Sequence, residues 1–213
     1  MRVLAVPLKP LERAKRRLAS VLTPAERAAL TLIMLEDVLD ACVAQTEWDV
    51  WVISQSEAAL EVAARRGATP VGELDGSLLA AIRQIEPMVR GRWSSLAVLL
   101  ADLPLLTAGA LAAALARPAG VVAAPAESDG GTNLLIRRPP SVIAARFGRS
   151  SFRKHRAEAY RRGLTFQEHR SPELGFDLDR PADLLRVLSA EGPGRTRLAC
   201  LEMRLPERLG VAV

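Results

Sequence analysis

Short apolar runs alternate along the chain with longer amphipathic stretches. Residues 97–101 are apolar without interruption, which is typical of a short strand that is buried on both faces. Leu30, Met34 and Val38 instead recur at helical spacing, so residues 24–43 predict a helix with one apolar face. This alternation predicts an α/β fold in which helices cover both faces of a mostly parallel sheet.

Capping signals delimit the predicted elements. Thr23, Pro24 and Glu26 form a capping box with proline at the first helical position, and Ser56 precedes a helix that ends at Gly67. Strands are predicted at residues 3–6, 50–53, 69–71, 97–101, 121–124, 134–136 and 164–169, and helices at residues 24–43, 56–67, 76–89, 150–162 and 181–188, with a further helix beginning at Thr107.

The chain length suits one domain of ordinary size. Residues 1–190 are predicted to form it, with residues 181–188 as its final helix. Residues 191–213 lack clear periodicity and are predicted as a C-terminal extension of unknown role, which packs irregularly or contacts another subunit. No apolar run reaches the roughly 18–20 residues that span a bilayer, and the N-terminus does not resemble a secretory signal. We therefore expect a cytoplasmic protein without a membrane partner.

The cysteine and histidine content limits the metal chemistry. Cys42 and Cys200 lie far apart in sequence, so no thiolate metal site is expected. His155 and His169 are too few for a histidine-rich zinc site, and both are expected at the surface. A bound metal ion would therefore be a hard cation held by carboxylates.

The net charge of +5 favours an anionic ligand. One Tyr, three Trp and four Phe make a poor base-stacking platform, so nucleic acid is not an expected partner. Neither a Walker A motif nor G-x-G-x-x-G occurs, so any phosphate site must use another loop.

Three polar segments follow predicted strands, where ligands of open α/β sheets bind. Residues 8–19 are predicted as a basic loop that runs into a short helix. Its side chains Lys9, Arg13 and Lys15 could bind a triphosphate and neutralise charge during phosphoryl-type transfer, or could form a solvated basic face.

The other two segments carry aspartates. Asp102 follows the apolar residues 97–101 and is costly to bury unpaired, so it favours a Mg²⁺ ligand over a helix cap. Asp177 and Asp179 point the same way in an extended segment and could complete that site. Asp179 also suits an ordinary helix N-cap.

Two loops of small residues could hold a phosphorylated co-substrate. Residues 129–133 contain Thr132, which offers a hydroxyl, and Gly131, which permits a close backbone approach. Gly148 and Ser151 lie before a predicted helix, whose N-terminus could bind an anion or could be a plain serine cap.

In this order, the motifs resemble the phosphoenolpyruvate and 2-phospho-L-lactate guanylyltransferases of coenzyme F-420 biosynthesis. The resemblance covers about residues 1–188 and rests on Val6-Pro7-Leu8-Lys9-Pro10-Leu11, Ala14-Lys15-Arg16-Arg17-Leu18-Ala19, Leu22-Thr23-Pro24-Ala25-Glu26-Arg27, Ala101-Asp102-Leu103-Pro104-Leu105-Leu106, Gly131-Thr132-Asn133, Phe147-Gly148 with Ser151-Phe152, and Asp177-Leu178-Asp179-Arg180-Pro181-Ala182-Asp183-Leu184.

The resemblance implies a single-domain nucleotidyltransferase of the glycosyltransferase-A-like type. Its substrates would be GTP with Mg²⁺ and a small phosphorylated three-carbon acid: phosphoenolpyruvate, 2-phospho-L-lactate or, more rarely, 3-phosphoglycerate. The downstream transferase that consumes the product would be a further partner. The arginine-rich composition is typical of a GC-rich bacterium and tilts the expectation towards phosphoenolpyruvate.

The resemblance also implies roles for single residues. It places Thr132, Gly148 and Ser151 at the acceptor and Asp102 at the metal ion. Gly76 matches a nucleotide-binding Gly-Leu-Asn segment of the family, although this chain lacks the Asn. The loop before Ser151 also departs from the family, which has a second glycine where this chain has a serine.

Two other functions remain open. A nucleotidyltransferase could use a different phosphorylated acceptor, such as a molybdopterin. A non-catalytic basic protein could bind nucleotide or nucleic acid with strongly salt-dependent affinity, but it would leave Asp102 and Asp177 without a role.

Overall fold

A computed structural model describes residues 1–190 and 194–211. Its strands are β1 (Arg2–Leu8), β2 (Asp49–Ser54), β3 (Thr69–Gly72), β4 (Ser95–Leu99), β5 (Val121–Pro125), β6 (Thr132–Arg137) and β7 (Phe166–Glu168). They form one sheet in the order β3-β2-β1-β4-β6-β5-β7. Neighbouring strands are parallel except at β6, which runs antiparallel to both β4 and β5. The predicted α/β class with a mostly parallel sheet is confirmed.

Helices cover both faces of this sheet. They are α1 (Pro24–Val43), α2 (Glu57–Arg65), α3 (Leu78–Val89), α4 (Ala108–Leu115), α5 (Ser151–Arg161), α6 (Pro172–Gly175), α7 (Pro181–Ser189), α8 (Arg195–Glu202) and α9 (Leu205–Leu209). Val38 of α1 and Leu111 of α4 pack on one face, whereas Ile85 of α3 and Phe152 of α5 pack on the other. Continuous apolar strands such as β4 are buried because both of their faces are covered.

Most predicted boundaries agree with the structure to within a few residues. The Thr23 capping box is present, and Ser56 and Thr107 cap α2 and α4 with their side chains. The basic segment differs in detail, because residues 11–13 and 16–18 form two single turns of 3₁₀ helix. No helix within residues 1–190 and 194–211 is long and apolar enough to cross a membrane.

A β-bulge in β6 controls the orientation of its polar side chains. Leu134 pairs with Ala124, but the next pair joins Thr132 to Pro125, so Asn133 is an extra residue in the strand. Strict alternation would place Thr132 on the same face as Leu134. The bulge instead places Thr132 on the face that α5 covers.

The chain beyond residue 190 corrects the predicted C-terminus. The helix at residues 181–189 is not the last, and residues 194–211 are not irregular, because α8 and α9 follow. Cys200 and Leu205 are buried in an apolar cluster with Leu30 and Leu184. The sequence pattern did not predict these helices because they are short. In addition, α8 is rich in arginine and has little amphipathic periodicity. Residues 191–193 and 212–213 of the predicted extension lie outside the described residues.

Replacing Leu205 by alanine should lower the free energy of unfolding by about 2–5 kcal/mol, because it leaves a cavity in this buried cluster. Leu198→Ala is the matched control: Leu198 lies on α8 but is 47% exposed, so the change should cost about 0.5 kcal/mol or less. Urea unfolding of the two variants measures the difference. Equal small losses would show that the C-terminal helices do not contribute to the core.

Candidate functional site

A cavity of about 330 Å³ lies at the carboxyl ends of β1 and β4. Lys9, Arg13 and Lys15 of the basic segment line one side, and Asp102 and Asp179 line the other. The structure therefore brings together side chains from three segments that are far apart in sequence. The basic segment and Asp102 meet because β1 and β4 are parallel neighbours, so the segments that follow them leave the sheet at the same edge. Asp179 joins them because the neighbouring Leu178 N–H donates to the Asp102 main-chain oxygen.

Lys15 is the central cation of this cavity. Its Nζ lies 2.8 Å from Asp102 Oδ2 and 3.0 Å from Asp179 Oδ1, and its side chain is only 6% exposed. Burial by itself would lower the pKa of this ammonium group, but the charges of Asp102 and Asp179 outweigh burial and raise the pKa above its ordinary value. Lys15 is therefore a charged ammonium ion that is held between two carboxylates.

The backbone of Lys15 is strained. Its φ of 46° and ψ of 39° lie in the left-handed region, which a residue with a side chain rarely adopts. This conformation joins the two 3₁₀ turns and costs about 1–2 kcal/mol. The two ion pairs of the Lys15 ammonium offset this strain.

Asp102 carries a carboxylate oxygen that has no partner. Oδ2 accepts from Lys15, but the buried Oδ1 makes no hydrogen bond among the described residues. Helix capping does not account for Asp102, because the Thr107 side chain caps α4. The Asp102 main-chain oxygen accepts from the Leu178 N–H at 3.1 Å and so fixes the segment that carries Asp177 and Asp179.

Asp177 and Asp179 are held differently. Asp179 pairs with Lys15 and, at 3.3 Å, with Arg17. Burial raises its pKa, but these cations outweigh burial and lower the pKa overall. Asp177 accepts from the Ser128 hydroxyl at 3.1 Å, and burial together with the charges of Asp102 and Asp179 raises its pKa to about 6.

The N-cap interpretation of Asp179 is wrong. Arg180 is the N-cap residue of α7, and Asp183 accepts from the backbone N–H groups of Asp179 and Arg180 at 2.8 and 2.6 Å. The Asp179 carboxylate is thereby left for Lys15.

The three aspartates fit a hard divalent cation in their chemistry. Within the described ranges, no three His, Cys, Asp or Glu side chains converge as a ready ligand set, and Lys15 lies between Asp102 and Asp179. However, Asp102 Oδ1 is an unsatisfied buried oxygen, and the three carboxylates are close enough for Asp102 and Asp179 to raise the pKa of Asp177. Carboxylate oxygens are the ligands that Mg²⁺ prefers.

Thr132 and Ser151 meet where the start of α5 lies against β6. Ser151 Oγ donates to Thr132 Oγ1 at 2.9 Å, and the Ser151 N–H donates to the Gly148 carbonyl at 3.0 Å. Thr132 and Ser151 are 2% and 0% exposed, whereas Gly148 is exposed. The predicted acceptor residues are therefore adjacent, but they do not line the cavity that contains Lys15.

The backbone before Ser151 is strained at Ser150. Gly148 has a φ of +114°, and Ser150, where the resemblance implies a second glycine, has a φ of +57°. Both are left-handed values that favour glycine. Ser150 makes no side-chain cap, so the serine-cap interpretation of this loop is wrong for Ser150.

Gly76 lies beside the basic segment but does not line the cavity. Its φ is +75°, and a Cβ at this position would lie 2.8 Å from Gln55 Oε1 and 3.4 Å from Pro10 Cγ. Its N–H donates to the buried Glu73 Oε1 at 2.6 Å, which holds the turn before α3. The positive φ and the close contacts together account for a glycine at this position.

Both histidines are buried, so the expected surface location is wrong. His155 is fully buried on α5, with Nδ1 3.1 Å from Thr132 Oγ1 and with Nε2 accepting from the Arg146 N–H at 2.9 Å. His169 is 6% exposed. The basic neighbours in sequence suggested a solvated helix, but every fourth position of α5 faces the core.

Sequence reasoning missed three residues that shape the site. Ser128 fixes Asp177, Glu73 holds the turn at Gly76, and His155 contacts Thr132. Ser128 and Glu73 follow strand ends, which was the available signal. His155 could have been noticed from its i, i+4 spacing to Ser151 on the predicted helix.

Comparisons with known proteins identify the family of this chain. Residues 1–199 match the family model described as guanylyl transferase, CofC like. A phosphoenolpyruvate guanylyltransferase of Sphaerobacter thermophilus is 42% identical over 188 residues, which cover 85% of this chain and 90% of that protein.

Two further relatives are named for other acceptor substrates. A 3-phospho-D-glycerate guanylyltransferase of Phenylobacterium zucineum is 38% identical, with 87% of this chain and 88% of that protein covered. A 2-phospho-L-lactate guanylyltransferase of Haloarcula marismortui is 39% identical, with coverages of 87% and 84%.

Solved structures support the same architecture. A crystal structure of a candidate nucleotide-diphospho-sugar transferase from Desulfovibrio desulfuricans G20 superposes with a TM-score of 0.76 at 16% identity, covering 100% of this chain and 99% of that one. At this identity the likeness concerns the fold alone. By its match over residues 1–199, the protein belongs to the CofC-like guanylyl transferase family and is a nucleotidyltransferase.

Proposed function

We propose that the protein transfers the guanylyl group of GTP to phosphoenolpyruvate, releases pyrophosphate and thereby serves coenzyme F-420 biosynthesis. The observation that carries this proposal is the buried Lys15 ammonium between Asp102 and Asp179 in a cavity at the carboxyl end of the sheet. Such a site suits a triphosphate that carries Mg²⁺, because its cations can bind the phosphates and its carboxylates can bind the metal ion. Relatives named for phosphoenolpyruvate support the choice of acceptor.

The reaction needs little proton transfer. An oxygen of the acceptor phosphate attacks the α-phosphorus of GTP in line, the new P–O bond forms, and the bond to the β-phosphate oxygen breaks. Because the attacking phosphate is already ionised at neutral pH, no general base is required. Catalysis then rests on positioning and on stabilisation of the charge on the leaving pyrophosphate.

We assign the cations of the cavity to the triphosphate. Lys9 and Arg13 are exposed at its rim and can contact the outer phosphates, and Lys15 stabilises charge close to Asp102. Gly76 would contact the nucleotide next to the basic segment. Asp102, with Asp177 or Asp179, would hold Mg²⁺, which supplies charge neutralisation at the phosphates.

We assign Thr132, Gly148 and Ser151 to the acceptor. Hydroxyl and backbone N–H groups near a helix N-terminus suit an anionic oxygen. Since Thr132 and Ser151 are buried, the exposed loop at Gly148 has to move for the acceptor to reach them.

Pyrophosphate release with GTP and Mg²⁺ tests the proposal. Phosphoenolpyruvate, 2-phospho-L-lactate and 3-phosphoglycerate are offered in parallel, together with the transferase that consumes the unstable product. We expect the highest kcat/KM with phosphoenolpyruvate. Faster turnover with 2-phospho-L-lactate or 3-phosphoglycerate would reassign the acceptor, and no release from the folded protein with any acceptor would refute the function.

A further inference from the structure

A buried imidazole extends the Thr132–Ser151 pair into a hydrogen-bonded chain. The Arg146 N–H donates to His155 Nε2 at 2.9 Å, His155 Nδ1 lies 3.1 Å from Thr132 Oγ1, and Ser151 Oγ lies 2.9 Å from the same oxygen. All of these contacts are local to α5, β6 and the loop before Gly148. Phe147 packs edge-on against the His155 ring, with centroids 5.5 Å apart, and so restrains its orientation.

The backbone of Arg146 determines the tautomer of His155. A backbone N–H is only a donor, so Nε2 must be the unprotonated nitrogen. Burial, and then the charges of Arg137, Arg146 and Lys154, lower the pKa of His155 to about 4, which leaves the ring neutral at neutral pH. The single ring proton is therefore on Nδ1, from which it is donated to Thr132 Oγ1.

This tautomer sets the number of hydroxyl hydrogens that remain for a ligand. Thr132 and Ser151 carry two hydroxyl hydrogens, and one of them is used in the bond between the two side chains. If Nδ1 were an acceptor, Thr132 would donate to it and no hydrogen would remain. Because Nδ1 is a donor, one O–H of the pair is left without an acceptor among the described residues. A buried unsatisfied O–H is costly unless an oxygen from outside the chain accepts from it.

We infer that His155 is a positioning residue for the acceptor: by donating to Thr132, it leaves the Thr132–Ser151 pair with one O–H for an anionic oxygen of the acceptor substrate. This inference rests on the proposed acceptor site. It also gives the loop before Gly148 a direct link to that site, because the Arg146 peptide determines which ring nitrogen bears the proton.

The tautomer can be measured without any enzymatic activity. The chain has only two histidines, so a nitrogen-15 spectrum of the side chains contains two imidazole rings, and the spectrum of His169→Gln assigns them. We expect the shift pattern of a neutral ring protonated on Nδ1 for His155. Protonation on Nε2, the form that predominates in free histidine, would overturn the inference.

Two substitutions of His155 each keep one of the two hydrogen bonds that its imidazole makes. His155→Asn places an amide N–H2 near the position of Nδ1 and keeps the bond to Thr132. His155→Gln places its amide near the position of Nε2 and keeps the bond to Arg146 but not the donor to Thr132. His155→Gln leaves the pair its free O–H but removes the hydrogen bond that orients Thr132. We therefore expect it to raise the acceptor KM about 3- to 10-fold, the range for losing a neutral hydrogen bond, with the KM for GTP within about two-fold of wild type.

His155→Asn keeps the donor to Thr132 and should leave the acceptor KM within about two-fold of wild type, and His169→Gln should leave it unchanged. Equal rises for the Asn and Gln variants, or equal changes in the KM for GTP, would mean that His155 merely supports the fold and would overturn the inference. If the wild-type protein turns over no acceptor, the proposed function fails, and the nitrogen-15 spectrum still decides the tautomer on which the inference depends.

Discussion

Asp102→Asn is expected to lower kcat by about 10²–10³-fold while the fold is retained. The substitution keeps the shape of the side chain but removes the charge that pairs with Lys15 and the anionic Oδ1 that has no partner in the described part of the chain. In the proposed reaction this oxygen would contact Mg²⁺, which an amide oxygen holds far less strongly. Initial rates of pyrophosphate release and a thermal unfolding curve measure the two effects.

Asp49→Asn is the matched control for this substitution. Asp49 is exposed at the amino end of β2, on the edge of the sheet away from the cavity, so its loss should leave kcat within about two-fold. If Asp102→Asn retained most of the wild-type activity, Asp102 could not be a metal ligand.

Lys15→Met should produce the second large effect. It removes the ammonium group that pairs with both Asp102 and Asp179 while it keeps an unbranched side chain of similar length. Breaking a buried pair typically costs about 3–5 kcal/mol. The two carboxylates are 28% and 34% exposed, so solvent screening reduces the expected loss of unfolding free energy to about 1–3 kcal/mol. We expect kcat to fall by about 10²–10³-fold as well.

Added Mg²⁺ should distinguish the role of Lys15 from simple packing. In the wild-type protein the ammonium group lies between the two carboxylates that a divalent cation would contact and repels that cation, and in Lys15→Met this repulsion is absent. We therefore expect Mg²⁺ to raise the Tm of Lys15→Met more than that of the wild type, because the variant binds the cation more tightly. Arg65→Met, an exposed cation on α2, should respond to Mg²⁺ as the wild type does. Equal Mg²⁺ effects on wild type and Lys15→Met would contradict a cation site between Asp102 and Asp179.

Local sequence determined the elements of this protein and the edge of the sheet at which its site lies. The capping box at Thr23 and the apolar run of β4 are local signals, because helix ends and doubly covered strands depend on nearby residues. Parallel strands also made it predictable that Lys15 and Asp102, which follow β1 and β4, would come together. The resemblance of the ordered motifs to a family then indicated the chemistry.

Only the tertiary structure decided the details that depend on contacts between distant residues. The bulge at Asn133 places Thr132 beside α5, and the left-handed backbone of Lys15 places its ammonium between Asp102 and Asp179. Neither feature has a signal in the local pattern of apolar residues, since a one-residue shift in pairing or a single positive φ is stabilised by partners elsewhere in the chain. The burial of His155 follows the same reasoning: its sequence neighbours are basic, but its environment is set by β6 and by the loop before Gly148.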